Sequence, residues 1–123
     1  MYPFVVKKVP MLSSVTVTAL SSALDGLSAR QAAIANNIAN INTPNYHAQR
    51  VSFESALAAS VKAGSGFAAP VTQTSLEPTD TNGNNENLDT ETVSNTDTVL
   101  RYQFATQAIN KELNSILPAM RLS

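Results

Sequence analysis

Apolar residues recur along this chain in two long stripes, one near each end. The first is Leu20, Leu24, Leu27, Gln31, Ile34, Ile38 and Ile41, spaced 4, 3, 4, 3, 4 and 3 with one polar interruption. The second is Val99, Tyr102, Thr106, Ile109, Leu113, Ile116 and Met120, spaced 3, 4, 3, 4, 3 and 4. A 3.5-residue repeat held over three heptads is the pattern of a left-handed coiled-coil seam. The spacing predicts a helix from about Ser14 to Ile41, about 42 Å long. An amphipathic helix of that length needs a partner, and two such stripes suggest that the termini pair with each other. The expected fold is mainly α: long N- and C-terminal helices paired as an antiparallel coiled coil, joined by a turn and a loop-rich, partly extended middle. The expected division is an N-terminal extension (1–13), a helical core (14–61 and 89–123) and a loop-rich segment (62–88).

The polar positions of the first helix are unusual. From Gln31 to Gln49 no side chain carries a formal charge, taking His47 as neutral, and between Lys8 and Arg50 only Asp25 and Arg30 do. A helix with one face in water normally carries charges there. Here Ala29, Ala33, Asn36 and Asn40 form a second face and Ala32, Ala35 and Ala39 a third. Small residues admit other backbones, and Asn amides hydrogen-bond across a buried contact but are costly if unpaired. Stripes alone fit an ordinary helical hairpin; the Ala and Asn faces point to an assembly. Asn36, Asn37 and Asn40 are the expected subunit contacts, with the turn Thr43-Pro44-Asn45-Tyr46. In that turn Pro44 fixes φ and Asn45 tolerates a positive one.

After the turn, Val51, Phe53, Leu57 and Val61 predict a short extended segment and then a helical turn or two from Phe53 to Val61. Residues 63–87, rich in Gly, Pro, Thr and Asn, are expected to be mobile unless neighbouring molecules hold them. Asp89 is the expected N-cap of the second helix, with Leu88 and Val93 as a hydrophobic staple. Asp97 and Arg101 should pair at i, i+4, and Pro118 should end or kink the helix.

Composition narrows the function more than it defines it. The 123 residues suit one domain, and the 43% hydrophobic fraction is rich in Ala, with no Trp. The net charge of −1, with only Lys7-Lys8 clustered, gives no footprint for nucleic acid. Without cysteine there are no disulfides or thiolate metal sites. Lys7-Lys8 followed by Val9 to Leu20 loosely imitates a signal peptide, but Ser13, Ser14, Thr16 and Thr18 dilute its core and cleavage after Ala23 would cut the heptad repeat. Met11 is an alternative start that would make residues 1–10 an extension. His47 is the sole histidine and reads as packing rather than a base. Gly64-Ser65-Gly66 lacks phosphate-loop spacing. Asp80, Glu86, Asp89 and Glu91 lack calcium-loop spacing and read as a solvated loop leading into a helix N-terminus. No cofactor, metal or catalytic group is expected.

Residues 24–57, and above all Ala35-Asn36-Asn37-Ile38-Ala39-Asn40 followed by Thr43-Pro44-Asn45-Tyr46, closely resemble the N-terminal signature of the bacterial flagellar rod and hook proteins. Gly83-Asn84-Asn85, Leu88-Asp89 and Val99-Leu100-Arg101-Tyr102-Gln103, with the short length, resemble the family's proximal rod members. The resemblance implies a structural subunit of the proximal rod, exported without a cleaved signal, whose helices pack into a drive shaft crossing the periplasm. It implies as partners copies of itself, neighbouring rod proteins, the rod-base adaptor and membrane ring, and the flagellar export apparatus. The chain departs from the family at Asn45, where Gly is usual, at His47, where a basic residue is common, and at Pro118. A soluble helical adaptor or secretion chaperone is the competing reading, but it needs a solvated outer face that residues 31–49 do not supply. A peptidoglycan hydrolase would need a convergent acid or nucleophile pair.

Overall fold

The computed structural model describes the backbone of residues 3–122 and the side chains of residues 14–118. The elements run α1 (Pro3–Ala39), β1 (Gln49–Ser52), α2 (Glu54–Lys62), β2 (Val71–Thr74) and α3 (Leu88–Leu122). The fold is mainly helical, with long helices toward both ends. The helix α1 begins ahead of the expected Ser14. Met120 of the expected second stripe lies outside the described side chains.

The first stripe stops short of Ile41. Asn40 donates its amide to both Asn36 and Asn37, and Ile41 donates to Ile38, so the chain tightens into a turn after Ala39. Ile41 is half-buried beyond the helix end rather than at a helical seam position. Leu27 and Ile34 are buried, Leu20 and Leu24 are half-buried, and Ile38 is exposed.

The helix α3 packs along α1. Asn37, near the end of α1, bonds Glu91 in the first turn of α3, whereas Leu27, earlier in α1, shares a core cluster with Ala105, later in α3. Among the described residues of α3 the buried positions are Glu91, Thr98 and Ala105, one heptad apart. This line lies one residue before the apolar stripe: Val99, Ile109 and Ile116 are half-buried, and Tyr102 and Leu113 are exposed. The cause is polar. Glu91 is bound to Asn37 and Arg50, which fixes the rotation of α3, and Thr98 satisfies its hydroxyl on Ser94 O of its own helix.

The ends of α3 also differ from expectation. Asn87, not Asp89, is the cap: its Oδ1 accepts the amides of Asp89 (2.9 Å) and Thr90 (3.2 Å), two donors the first turn leaves orphaned. With the cap two residues earlier, Leu88 and Val93 fall off the staple positions, and both are exposed. Asp97 pairs with Arg101 at 2.8 Å. The helix passes through Pro118 and continues to Leu122; so near the end, the proline forfeits one backbone bond and breaks nothing longer.

Between the long helices, β1 and β2 pair antiparallel, with Gln49 opposite Thr74 and Ser52 opposite Val71. The core cluster of Leu27, Ala33, Val51, Phe53 and Ala105 joins α1, β1 and α3. Arg30 clamps α1 to this layer. Its guanidinium binds both oxygens of Glu54 at 2.7 Å, donates to Val51 O at 2.8 Å and stacks 5.0 Å from the Phe53 ring. That bidentate bond drops the Glu54 carboxyl to about 2. Gly26 is required beneath the same ring, since a Cβ there would run into Phe53. Ser22 ties the Gly66 region to α1, donating to Gly66 O (3.0 Å) and accepting from Ala68 N (3.2 Å).

A candidate structural hub and an uncharged outer face

The turn after α1 forms as the sequence predicts. Tyr46 N donates to Thr43 O at 3.3 Å, and Asn45 takes a φ of 63°. Asn45 is exposed, so its backbone shape rather than its burial explains its place. Gly83 lies against it with φ 80°, and any Cβ there would strike the Asn45 side chain. Asn45 N also donates to Asn82 O at 2.9 Å, which joins the turn to the loop before α3.

Asn37 is the centre of the polar network and is fully buried. Its Nδ2 donates to Gln49 O (3.0 Å) and Glu91 Oε1 (3.2 Å). Its Oδ1 accepts Tyr46 OH and Gln49 N, each at 2.9 Å. All four hydrogen-bonding positions of the amide are used inside the chain. Asn37 therefore has no surface to offer a neighbouring subunit, and Tyr46, whose hydroxyl is committed to it, is half-buried beside it. Asn40 is half-exposed and caps its own helix, donating to Asn36 O (2.8 Å) and accepting from Thr43 Oγ1 (3.0 Å).

Two asparagines of the loop complete the network. Asn84 Nδ2 donates to Asn40 O (2.9 Å) and Thr43 O (2.8 Å), taking up carbonyls left by the end of α1. Asn85 accepts from Ala48 N (2.7 Å) and donates to Ser75 O and Glu77 O, each at 3.2 Å. The segment expected to need neighbouring molecules is thus held by its own side chains.

The acids expected to form a solvated loop are divided. Asp80 and Asp89 are exposed, but Glu86 is buried and Glu91 fully so. Glu91 Oε1 takes Arg50 as well as Asn37. Burial works against the Arg50 charge, but the bond to Glu91 and its negative charge outweigh it and raise the Arg50 pKa. Burial, then the charges of Glu86 and Glu91, raise the Tyr46 phenol. Glu86 and Glu91 were the residues hardest to find from sequence. Their only signal was Arg50, a lone cation that a buried acid could neutralise.

The other expected contacts are outside. Asn36, Thr43, Pro44 and Asn45 are exposed, and so are Ser28, Gln31, Ala32, Ala35, Ile38 and Ala39 on the outer side of α1. That outer side carries no charge after Asp25. On α3, Leu100 and Phe104 are also exposed, Phe104 at 78%. Among the described residues no group of three acids or histidines could hold a metal, and no helix is long and apolar enough to cross a membrane.

Residues 18–47 match the family described as "Flagella basal body rod protein". The chain is 30% identical over 119 residues to the flagellar basal body rod protein FlgB of Bacillus subtilis strain 168, a match covering 85% of this chain and 92% of that protein. It is 59% identical over 34 residues to FlgB of Borreliella burgdorferi, covering 28% of this chain and 25% of that one.

Proposed function

Since this chain belongs to the flagellar basal body rod proteins of the FlgB type, we propose that it is a structural subunit of the proximal rod. In this reading it assembles by helix packing into the drive shaft that transmits torque across the periplasm, after export without a cleaved signal. The neighbours are further copies of this chain, adjoining rod proteins, the rod-base adaptor and the membrane ring. The role is mechanical, and no residue is assigned to catalysis.

The observation that carries the proposal is the uncharged outer face of α1. Ala32, Ala35, Asn36 and Ala39 face outward with no charge among them, a poor surface for water and a good one for a close-packed helix. Exposed Leu100 and Phe104 on α3 add apolar surface that assembly would bury. The seam between α1 and α3 is proposed to tighten into coiled-coil packing in the tube, with Leu20, Leu24, Leu27 and Ile34 facing Val99, Tyr102, Ile109, Leu113 and Ile116. The subunit contacts fall on Asn36, Thr43, Pro44 and Asn45. A helical adaptor is disfavoured, because it keeps this face wet.

The test is Ala35→Glu in cells lacking the wild-type chain. Ala35 is exposed in the subunit, so the variant is expected to fold, to be secreted and to fail to build a rod, leaving cells non-motile. Normal swimming with intact basal bodies would overturn the proposal.

A further inference from the structure

The hub holds three buried carboxylate oxygens that no hydrogen-bond donor reaches: Oε1 and Oε2 of Glu86 and Oε2 of Glu91. Among the described residues no other buried side-chain nitrogen or oxygen lacks a partner, so the gap calls for an explanation. Two buried acids five residues apart, with Arg50 already bound to Oε1 of Glu91, cannot both carry unopposed charge cheaply. One proton removes the conflict: placed on Glu86, it turns that side chain into a donor toward Glu91.

We propose that Glu86 carries a proton facing Glu91, and that this proton is the bolt of a pH-sensitive latch closing the 82–87 loop onto α1 and α3. Glu91 is the fixed side of the latch, bound to Asn37 on α1 and Arg50 on β1. Glu86 is the moving side, on the loop whose Asn84 and Asn85 cover the end of α1. The groups facing Glu86 are Glu91 from α3, Arg50 from β1, Glu77 from the loop after β2, and the Tyr46 phenol, whose titration feels the Glu86 charge. From α1 the neutral Asn37 bonds Glu91, and Arg30 lines the same small cavity as Arg50.

Burial first, and then the Glu91 charge, push the Glu86 carboxyl up to about 7, while Arg50 opposes the rise. The folded chain therefore binds more protons than the unfolded one between the ordinary carboxyl range and about 7. The latch is closed below that window. It weakens as pH rises through it and loses nothing further above it.

Side-chain 13C NMR of the full-length wild-type chain reads Glu86 directly. Its carboxyl should titrate near neutrality, apart from the exposed acids. Urea unfolding of wild type and Glu86→Gln, whose amide can donate to Glu91 without titrating, supplies the second reading. The wild-type folding constant should fall at least tenfold between about pH 5 and pH 8 relative to Glu86→Gln. Glu86 titrating with the exposed carboxyls, or equal pH slopes in the two chains, would overturn the latch.

Discussion

Asn37 shows how one amide can organise a chain whose core is short of large apolar groups. It joins the end of α1 to the turn, to β1 and to α3 through four hydrogen bonds. Removing it leaves the half-buried Tyr46 hydroxyl and both backbone groups of Gln49 without this partner. Each stranded buried group costs about 1–3 kcal/mol. Asn37→Ala is therefore expected to destabilise the subunit by about 3 kcal/mol, read as a lower urea midpoint with an unchanged slope. Asn36 is the control. It is exposed and its side chain has no bond in the network, so Asn36→Ala should shift subunit stability by less than about 0.5 kcal/mol. Equal losses in the two variants would remove the distinction between hub and outer face.

At the level of elements, the α3 cap and the Phe53 layer are the joints to probe. Asn87→Ala removes an acceptor for two amides and should cost about 1 kcal/mol, with faster hydrogen exchange confined to the first turn of α3. Phe53→Ala empties the space between α1, β1 and α3 and should cost about 3–5 kcal/mol. Most of the elements were legible in the sequence, but β2, inside the segment expected to be mobile, was not. Heptad spacing announced the long helices, Pro44 and Asn45 the turn, and the run from Val51 to Val61 the strand and short helix. The rotation of α3 was not legible. It is fixed by Glu91, a charged residue that an apolar pattern assigns to the surface, and its partners Asn37 and Arg50 lie 54 and 41 residues away. The cap at Asn87 was missed for a related reason: several Asn and Asp residues precede the helix, and only geometry selects one. The loop's order escaped composition because Asn84 and Asn85 act through single long-range bonds rather than through bulk.

Among the described residues, two carboxyls make pH-sensitive joints of opposite sign. Glu54, lowered to about 2 by Arg30, supports the fold above its ordinary range and loses that support as pH falls below it. Glu86, raised to about 7, weakens the fold as pH rises toward neutrality. These two groups together place maximal subunit stability at mildly acidic pH, which thermal unfolding across a pH series would reveal. A maximum at alkaline pH would contradict the pair. The wider claim is that the uncharged face of α1 is solvent-exposed in the subunit and buried in the rod. The chain has no cysteine, so a single Ala35→Cys gives a clean probe. Maleimide labelling should be fast in the purified subunit and blocked in intact basal bodies. Equally fast labelling of Cys in both states would contradict the account.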